Sequence, residues 1–299
     1  MAYVNSITLY NEALSSERVL FLYLGDIFVF TCIFNCSKSN SLKSFRPARQ
    51  QYRPKKSTLV IGRKEVIAAM QKGTQLERIY LSGSVSGDVI EEIKALATEH
   101  QVPINKVPVE KLNSFNVSNH EGCIAVLSKV QYQDLQQIIS FVVEKGETPL
   151  FLMLDAITDV RNIGAIARTA YCCGVNAIII PEKGVGALNE DAIATSAGAL
   201  EKIAVCRVNS LMKAVDELHL NGIQVFGSEM TAEKSIFSLD LAQPCAIVLG
   251  SEDKGIFPAL MKICDETFKI PMVNNFESLN VSVAAGMILY ETMKQRIVL

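Results

Sequence analysis

The chain has 299 residues, of which 49% are hydrophobic, with few aromatics and no Trp. This profile fits an Ala/Val/Ile-rich α/β protein of two domains, at roughly 100–200 residues each, and excludes a disulfide scaffold or a wholly disordered chain. A formal charge of −2 makes no overall case for nucleic acid, so any RNA contact must be a local patch.

Residues 1–56 differ from the rest, with eight Lys/Arg against three Asp/Glu. Val19 to Phe34 is apolar, but Gly25 and Asp26 interrupt it. Its length also falls short of the roughly 20 residues that span a bilayer, so no membrane anchor is expected. A signal peptide is disfavoured because a basic start and a small-residue cleavage site are missing. Lys38 to Lys56 holds seven Lys/Arg and no acidic residue, which predicts a disordered linker or a loose RNA-binding arm, the alternative being a leader without a role.

Residues 57–132 read as a small alternating domain. It has strand Leu59 to Ile61, helix Arg63 to Gln71, strand Arg78 to Leu81, helix Gly87 to His100, strand Ile104 to Val107 and a closing strand from Cys123 to Val130. Its loop Asn116 to Gly122 carries Asn119 and His120, either solvated loop residues or RNA contacts. The polar helical stretch 133–149 ends in Gly146 and Pro149 and reads as a linker at the domain boundary.

From residue 150 to 299 the alternation is βαβ. Buried strands are expected at Leu150 to Leu154, Ala177 to Ile180, Ile203 to Val208, Ile223 to Phe226 and Ala246 to Leu249, with helices at Ile163 to Cys173, Glu190 to Ser196, Leu211 to Leu220 and Pro258 to Ile263. These make a mainly parallel sheet covered on both faces. A strand from Thr267 to Ile270 stops at Pro271, which has no amide hydrogen for the ladder. Asn280 then caps a helix whose Ser282, Ala284, Ala285 and Gly286 allow close packing on a neighbouring backbone.

Three loops after strands could carry chemistry, because ligands of parallel sheets bind at the carboxyl ends of strands. The first, Asp155 to Gly164, contains Asn162 and leads into a helix whose apolar run includes Arg168; a guanidinium there needs a carboxylate, a phosphate or a cleft. The second is GSEDKG at Gly250 to Gly255, whose Glu252 could pair with Arg168. The third surrounds Ile270, Ser278, Leu279 and Asn280. No GxGxxG or GxxxxGKS occurs, which disfavours a nucleotide-dependent dehydrogenase or a P-loop enzyme. The eight cysteines are scattered without zinc-type spacing and read as reduced core thiols. His100, His120 and His219 lie far apart, leaving little material for a metal site or a histidine-based triad.

Taken together, NIGAIARTA at Asn162 to Ala170, LGSEDKG at Leu249 to Gly255, and IPM with SLNVSVA between Ile270 and Ala284 resemble the SpoU (TrmH-like) branch of the SPOUT RNA methyltransferases, over about residues 150–299. The segment 58–130, through NHEGCIAVL at Asn119 to Leu127, is similar to the L30e-like RNA-binding domain that precedes the catalytic domain in ribosomal RNA 2′-O-methyltransferases of that family. The resemblance implies a deep C-terminal trefoil knot, an exception to the rule that chains do not thread themselves. It further implies a cytoplasmic homodimer whose active site draws on both subunits, and S-adenosylmethionine as cofactor. The cofactor would lie against Gly250, Ile270 and Leu279, with Thr195, Ser278 and Asn280 nearby. Asp253 departs from the glycine many relatives carry after the glutamate, which leaves Glu252 and Gly255 in place.

The implied reaction is methyl transfer to a ribose 2′-hydroxyl, with Asn162, Arg168 and Glu252 as catalytic residues. Family proposals make the arginine the base. Orienting the hydroxyl or an adjacent phosphate is physically easier, because a guanidinium is very hard to deprotonate. Asn162 would fix loop or substrate and Glu252 would orient Arg168. A guanosine of large-subunit ribosomal RNA is the expected substrate. The alternatives are transfer RNA 2′-O-methylation and a non-catalytic knotted protein that holds RNA.

Overall fold

The computed structural model describes residues 21–24, 27–30, 58–274 and 278–297. The chain divides into one unit at residues 1–51 and a second at 52–299. In the first, β1 (Phe21–Leu24) and β2 (Ile27–Phe30) pair antiparallel, with Leu24 opposite Ile27. The expectation of a disordered leader or RNA-binding arm lies otherwise outside the described residues. Among those residues, no helix is long and apolar enough to cross a membrane.

The second unit begins with a four-stranded sheet. Its elements are β3 (Leu59–Ile61), α1 (Arg63–Gln71), β4 (Leu76–Ser82), α2 (Asp88–Glu99), β5 (Ile104–Val107), the short α3 (Val109–Asn113) and β6 (Cys123–Leu127). The strand order is β3-β6-β4-β5, antiparallel except for the β4–β5 pair. Val66 and Met70 of α1 and Ile90, Ile93 and Ala97 of α2 recur at helical spacing and close one face over Ile79 and Leu81.

A register shift between Leu76 and Arg78 breaks the pairing of β4 with β6. Strict alternation from Ile79 and Leu81 would send Glu77 into the apolar core. The bulge puts Leu76 there instead and frees Glu77 for the neighbouring sheet.

That sheet has eight strands, all parallel, in the order β12-β14-β11-β13-β8-β9-β10-β7. Its elements run β7 (Tyr132–Gln133), α4 (Leu135–Glu144), β8 (Leu150–Leu154), α5 (Val160–Cys172), β9 (Ala177–Pro181), α6 (Glu190–Thr195), β10 (Ala204–Val208), α7 (Leu211–Leu220), β11 (Gln224–Ser228), β12 (Lys234–Ser235), β13 (Cys245–Leu249), α8 (Pro258–Met261), β14 (Glu266–Lys269) and α9 (Val281–Ile297). Strand β8 is buried throughout: Leu150, Leu152 and Leu154 face α5 and α9, and Phe151 and Met153 face α4 and α7. Two-sided burial explains its unbroken apolar run. The chain leaves β8 toward β9 on one side, and β13 later inserts on the other, so the sheet changes direction between β8 and β13.

The stretch 133–149, expected to be a linker, is built into this sheet. Tyr132 and Gln133 pair with β10, Asp134 accepts a hydrogen bond from the Gln137 amide at 3.0 Å to cap α4, and Leu135, Ile138, Ile139 and Val142 join the core. The helix is expected there, but its polar residues occupy only the outer face and its inner face packs on the sheet.

A buried polar cluster joins the two sheets. Glu77 and Arg207 are each 5% exposed and pair at 2.8 Å. Glu77 also accepts from the Tyr132 hydroxyl and, at 3.2 Å, from the Leu188 amide. The Arg207 guanidinium carbon sits 3.5 Å from the centre of the Tyr132 ring, and Gln75 accepts from the Tyr132 amide at 2.8 Å. Burial, followed by the nearby Glu77 carboxylate, holds the Tyr132 phenol well above its ordinary pKa, so it stays a donor.

Removing one partner of a buried pair strands the other charge, so Arg207→Met is expected to cost about 3–5 kcal/mol. The double substitution Arg207→Met with Glu77→Leu should recover only part of that loss, because the Tyr132 hydroxyl and the Leu188 amide then lose their acceptor. Urea unfolding of the two variants and the parent measures both, and equal losses in the single and double variants would refute the coupling.

Candidate active site

The three loops of interest leave β8, β13 and β14 at the carboxyl ends of parallel strands, beside the point where the sheet reverses direction. The ends of β8 and β13 are tied directly, the Asp155 amide donating to Leu249 O at 2.8 Å and the Phe257 amide to Asp155 Oδ2 at 2.6 Å.

In the first loop Asp159 caps α5, accepting from the Arg161 amide at 2.9 Å, and pairs with the exposed Arg161 guanidinium at 3.2 Å. This cap places Asn162 in the first helical turn. In the second loop, Gly250 has the second limb of its own turn packed against it: a Cβ there would lie 2.1 Å from the carbonyl carbon of Gly255 and 2.3 Å from the Ile256 nitrogen. Ser251 and Gly255 exchange backbone hydrogen bonds at 3.2 and 2.9 Å, and Gly255 turns the chain at φ +66°. Glu252 is presented at the tip. In the third loop Asn280 caps α9, its Oδ1 accepting from the Ser282 amide at 3.0 Å.

These loops meet at one atom. Glu252 Oε1 accepts from Asn162 Nδ2 at 3.1 Å, from Asn280 Nδ2 at 2.6 Å and from the Val281 amide at 3.2 Å, and Asn280 Nδ2 also reaches Asn162 Oδ1 at 3.2 Å. The carboxylate sits at the amino end of α9, where unpaired amides and the helix dipole favour negative charge.

The expected pairing of Glu252 with Arg168 is not formed. Arg168 is exposed and makes no ion pair or hydrogen bond among the described residues, while Ile163, Ile166, Ala167 and Ala170 around it are buried. The reason is helical geometry: six residues beyond Asn162 lies about 9 Å further along the axis and turned well away around it. Arg168 therefore lies on the solvent-facing side of the helix with Arg161, Tyr171 and Cys172, and Asn162, not Arg168, meets the glutamate.

Beneath the Glu252 junction lies a cleft of about 290 Å³. Gly250, Ile270, Ser278 and Leu279, the residues expected to lie against the cofactor, all line it. Asn280 lies at its edge through the Glu252 contact. Thr195 lies outside it: its hydroxyl donates to Asp191 O at 2.8 Å within α6, and its Cβ stands 2.7 Å from where a side chain on Gly164 would begin, marking a close α5–α6 contact.

Sequence reasoning passed over a fourth wall, Ser228, Glu229, Met230 and Thr231, which follows β11. The available signal was positional, since this too is the carboxyl end of a parallel strand; the Glu229 amide donates to Phe268 O at 2.8 Å and anchors the wall to β14. His120, the other residue singled out, is used locally. Its Nδ1 accepts from the Gly122 amide and its Nε2 donates to Asn113 Oδ1, both at 3.0 Å, stabilising a loop in which Asn116, Asn119 and Glu121 all adopt positive φ. Among the described residues no group of three or more His, Cys, Asp or Glu could hold a metal ion, and burial pushes the Cys123 and Cys206 thiols up to about 12.

If Glu252 is what joins the loops, Glu252→Ala should speed hydrogen exchange at the Val281 amide about tenfold, with amides of β8 unaffected. Exchange followed by mass spectrometry or NMR gives the answer, and unchanged protection at Val281 would dismiss the junction.

Comparison with known proteins identifies the chain's relatives. Residues 149–290 match the model of the SpoU rRNA methylase family, and residues 59–133 match that of the RNA 2′-O ribose methyltransferase substrate-binding domain. The chain is 33% identical over 237 residues to a Bacillus subtilis protein named as a TrmH family tRNA/rRNA methyltransferase, YacO, covering 79% of this chain and 95% of that one. A Staphylococcus aureus protein named to the same family is 34% identical over 239 residues, covering 80% and 96%. Among solved structures, the SpoU methyltransferase AviRb of Streptomyces viridochromogenes, in complex with AdoMet, superposes with a TM-score of 0.52 at 25% identity, over 80% of this chain and 90% of that one. The chain belongs to the SpoU (TrmH-like) family of RNA methyltransferases.

Proposed function

We propose that this protein transfers a methyl group from S-adenosylmethionine to a ribose 2′-hydroxyl of RNA, with a guanosine of large-subunit ribosomal RNA as substrate. The observation that carries this reading is the convergence of Asn162, Glu252 and Asn280 over a cleft lined by Gly250, Ile270, Ser278 and Leu279. The cleft suits the cofactor: Ile270, Leu279 and Val281 offer apolar walls for a flat ring, and the Ser278 hydroxyl and loop backbone offer polar contacts.

Bound there, S-adenosylmethionine supplies an electrophilic methyl group whose displacement discharges the sulfonium. The ribose hydroxyl that receives the methyl group would give up its proton to water. The chain contributes chiefly position. Glu252 holds the three loops at fixed spacing and Asn162 fixes the first of them. Arg168, exposed and uncommitted, orients the hydroxyl or a neighbouring phosphate, a task that needs no deprotonation.

The exposed face beside Arg168 supports a homodimer. Tyr171 on α5 and Val283, Met287 and Tyr290 on α9 are 46–63% exposed, and the α9 residues recur at helical spacing. A second copy on this face would bring an Arg168 from each subunit toward the joint surface. The deep trefoil knot is the topology we assign to the C-terminal segment. In its support, Arg296 near the end of α9 donates to Thr148 O, Pro149 O, Leu241 O and Gln243 O at 2.7–3.0 Å, tying the last helix across the entries of β8 and β13. The four-stranded domain is read as L30e-like, and its match to a substrate-binding model is the support for structured RNA.

Arg168→Ala should abolish methyl transfer while leaving calorimetric binding of S-adenosylmethionine within about twofold. Turnover equal to the parent would remove Arg168 from the mechanism. Mapping 2′-O-methyl marks in total RNA with and without the gene identifies the substrate, and loss of a mark only in transfer RNA would reassign it.

A further inference from the structure

The face of β4 that the bulge turns away from the helices bounds a second cavity, about 60 Å³, between the small domain and the segment before α6. Arg78, Tyr80, Phe115 and Lys129 line it on one side and Leu188 on the other. Arg78 Nε is buried and has no hydrogen-bond partner, alone among the described residues' side-chain polar atoms in this respect. A guanidinium donor buried without an acceptor is costly and rare in a native structure, and is explained most simply by a ligand that supplies the acceptor. The carboxylates at hand do not serve. Glu77 is taken by Arg207, Tyr132 and the Leu188 amide, and neither Glu190 nor Lys111 is free. Lys129 at the rim is exposed, and the Tyr80 and Phe115 rings, 5.2 Å apart, form one wall.

We propose that this cavity seats one backbone phosphate of the RNA substrate, with Arg78 as the fixed donor and Lys129 as the entry charge. The proposal rests on the RNA methyltransferase reading and adds to it a contact at the junction of the two sheets, away from the Glu252 cleft. A phosphate supplies several acceptor oxygens to a guanidinium and binds without regard to base identity.

The test is the salt dependence of binding of a large-subunit ribosomal RNA transcript to the full chain. Arg78→Met and Lys129→Ala should each lower the slope of log affinity against log salt by about one and weaken binding uniformly across sequence variants of the RNA. Because Arg78 Nε satisfies nothing in the protein, Arg78→Met should leave the melting temperature unchanged or raised, which a purely structural arginine would not. Lys129→Ala, at an exposed position, keeps the test open if Arg78→Met does not fold. Calorimetric binding of S-adenosylmethionine should match the parent in both variants. Failure of the parent to bind it would count against the function, not the cavity. Slopes equal to the parent in both variants overturn the proposal. Displacement of RNA by inorganic phosphate at matched ionic strength in the parent but in neither variant would support it, because the free anion then competes for the cavity that the RNA phosphate fills.

Discussion

A single carboxylate oxygen, Glu252 Oε1, determines the geometry of the active region. It gathers an amide from the loop after β8, an amide from the loop after β14 and the first backbone donor of α9. The partners lie 90, 28 and 29 residues away in sequence, so no local propensity could align them. The sheet reversal between β8 and β13 brings the loops to one edge, and Glu252 then fixes their spacing. The glycine before it is part of the same device, since only Gly250 lets the limbs of the turn close to van der Waals contact and hold the carboxylate outward. Asn280 serves twice, with its oxygen as a helix cap and its nitrogen as a ligand of Glu252, so the start of α9 and the shape of the cleft are set by one side chain.

Much of this was legible in the sequence, because two-sided burial leaves a plain signature. The apolar runs of β8, β9 and β13 are long enough to locate and too uniform to be surface strands. Helices α1 and α2 emerge from their periodicity with ends within one residue of those observed. Gly250, Ile270, Ser278 and Leu279 lie on loops that the sequence places at strand ends, and the family resemblance groups them into one site; they share one cleft.

What the sequence concealed was of four kinds. The partner of Arg168 could not be read, because charge complementarity says nothing about rotation around a helix, and Asn162 occupies the side that meets Glu252. The role of 133–149 was hidden because a helix with polar outer positions reads as a linker until its inner positions are seen packed on the sheet. The bulge at Glu77 was invisible for a subtler reason. Alternation in β4 continues on both sides of it, and only pairing with β6 reveals that one residue is extra. The wall at Ser228 to Thr231 lacks any motif and is located only by strand order.

The buried Glu77–Arg207 pair also bears on how the chain is made. Its members are 130 residues apart, and ribosomes add roughly 5–20 residues each second, so Glu77 emerges on the order of ten seconds before its counter-charge. Through that interval the carboxylate must stay in water, because entering an apolar interface alone is prohibitive. The small domain can therefore complete its helical side early, while the face bearing Glu77 stays open until β10 arrives. Docking of the two sheets is a late step of biogenesis, timed by the synthesis of one arginine.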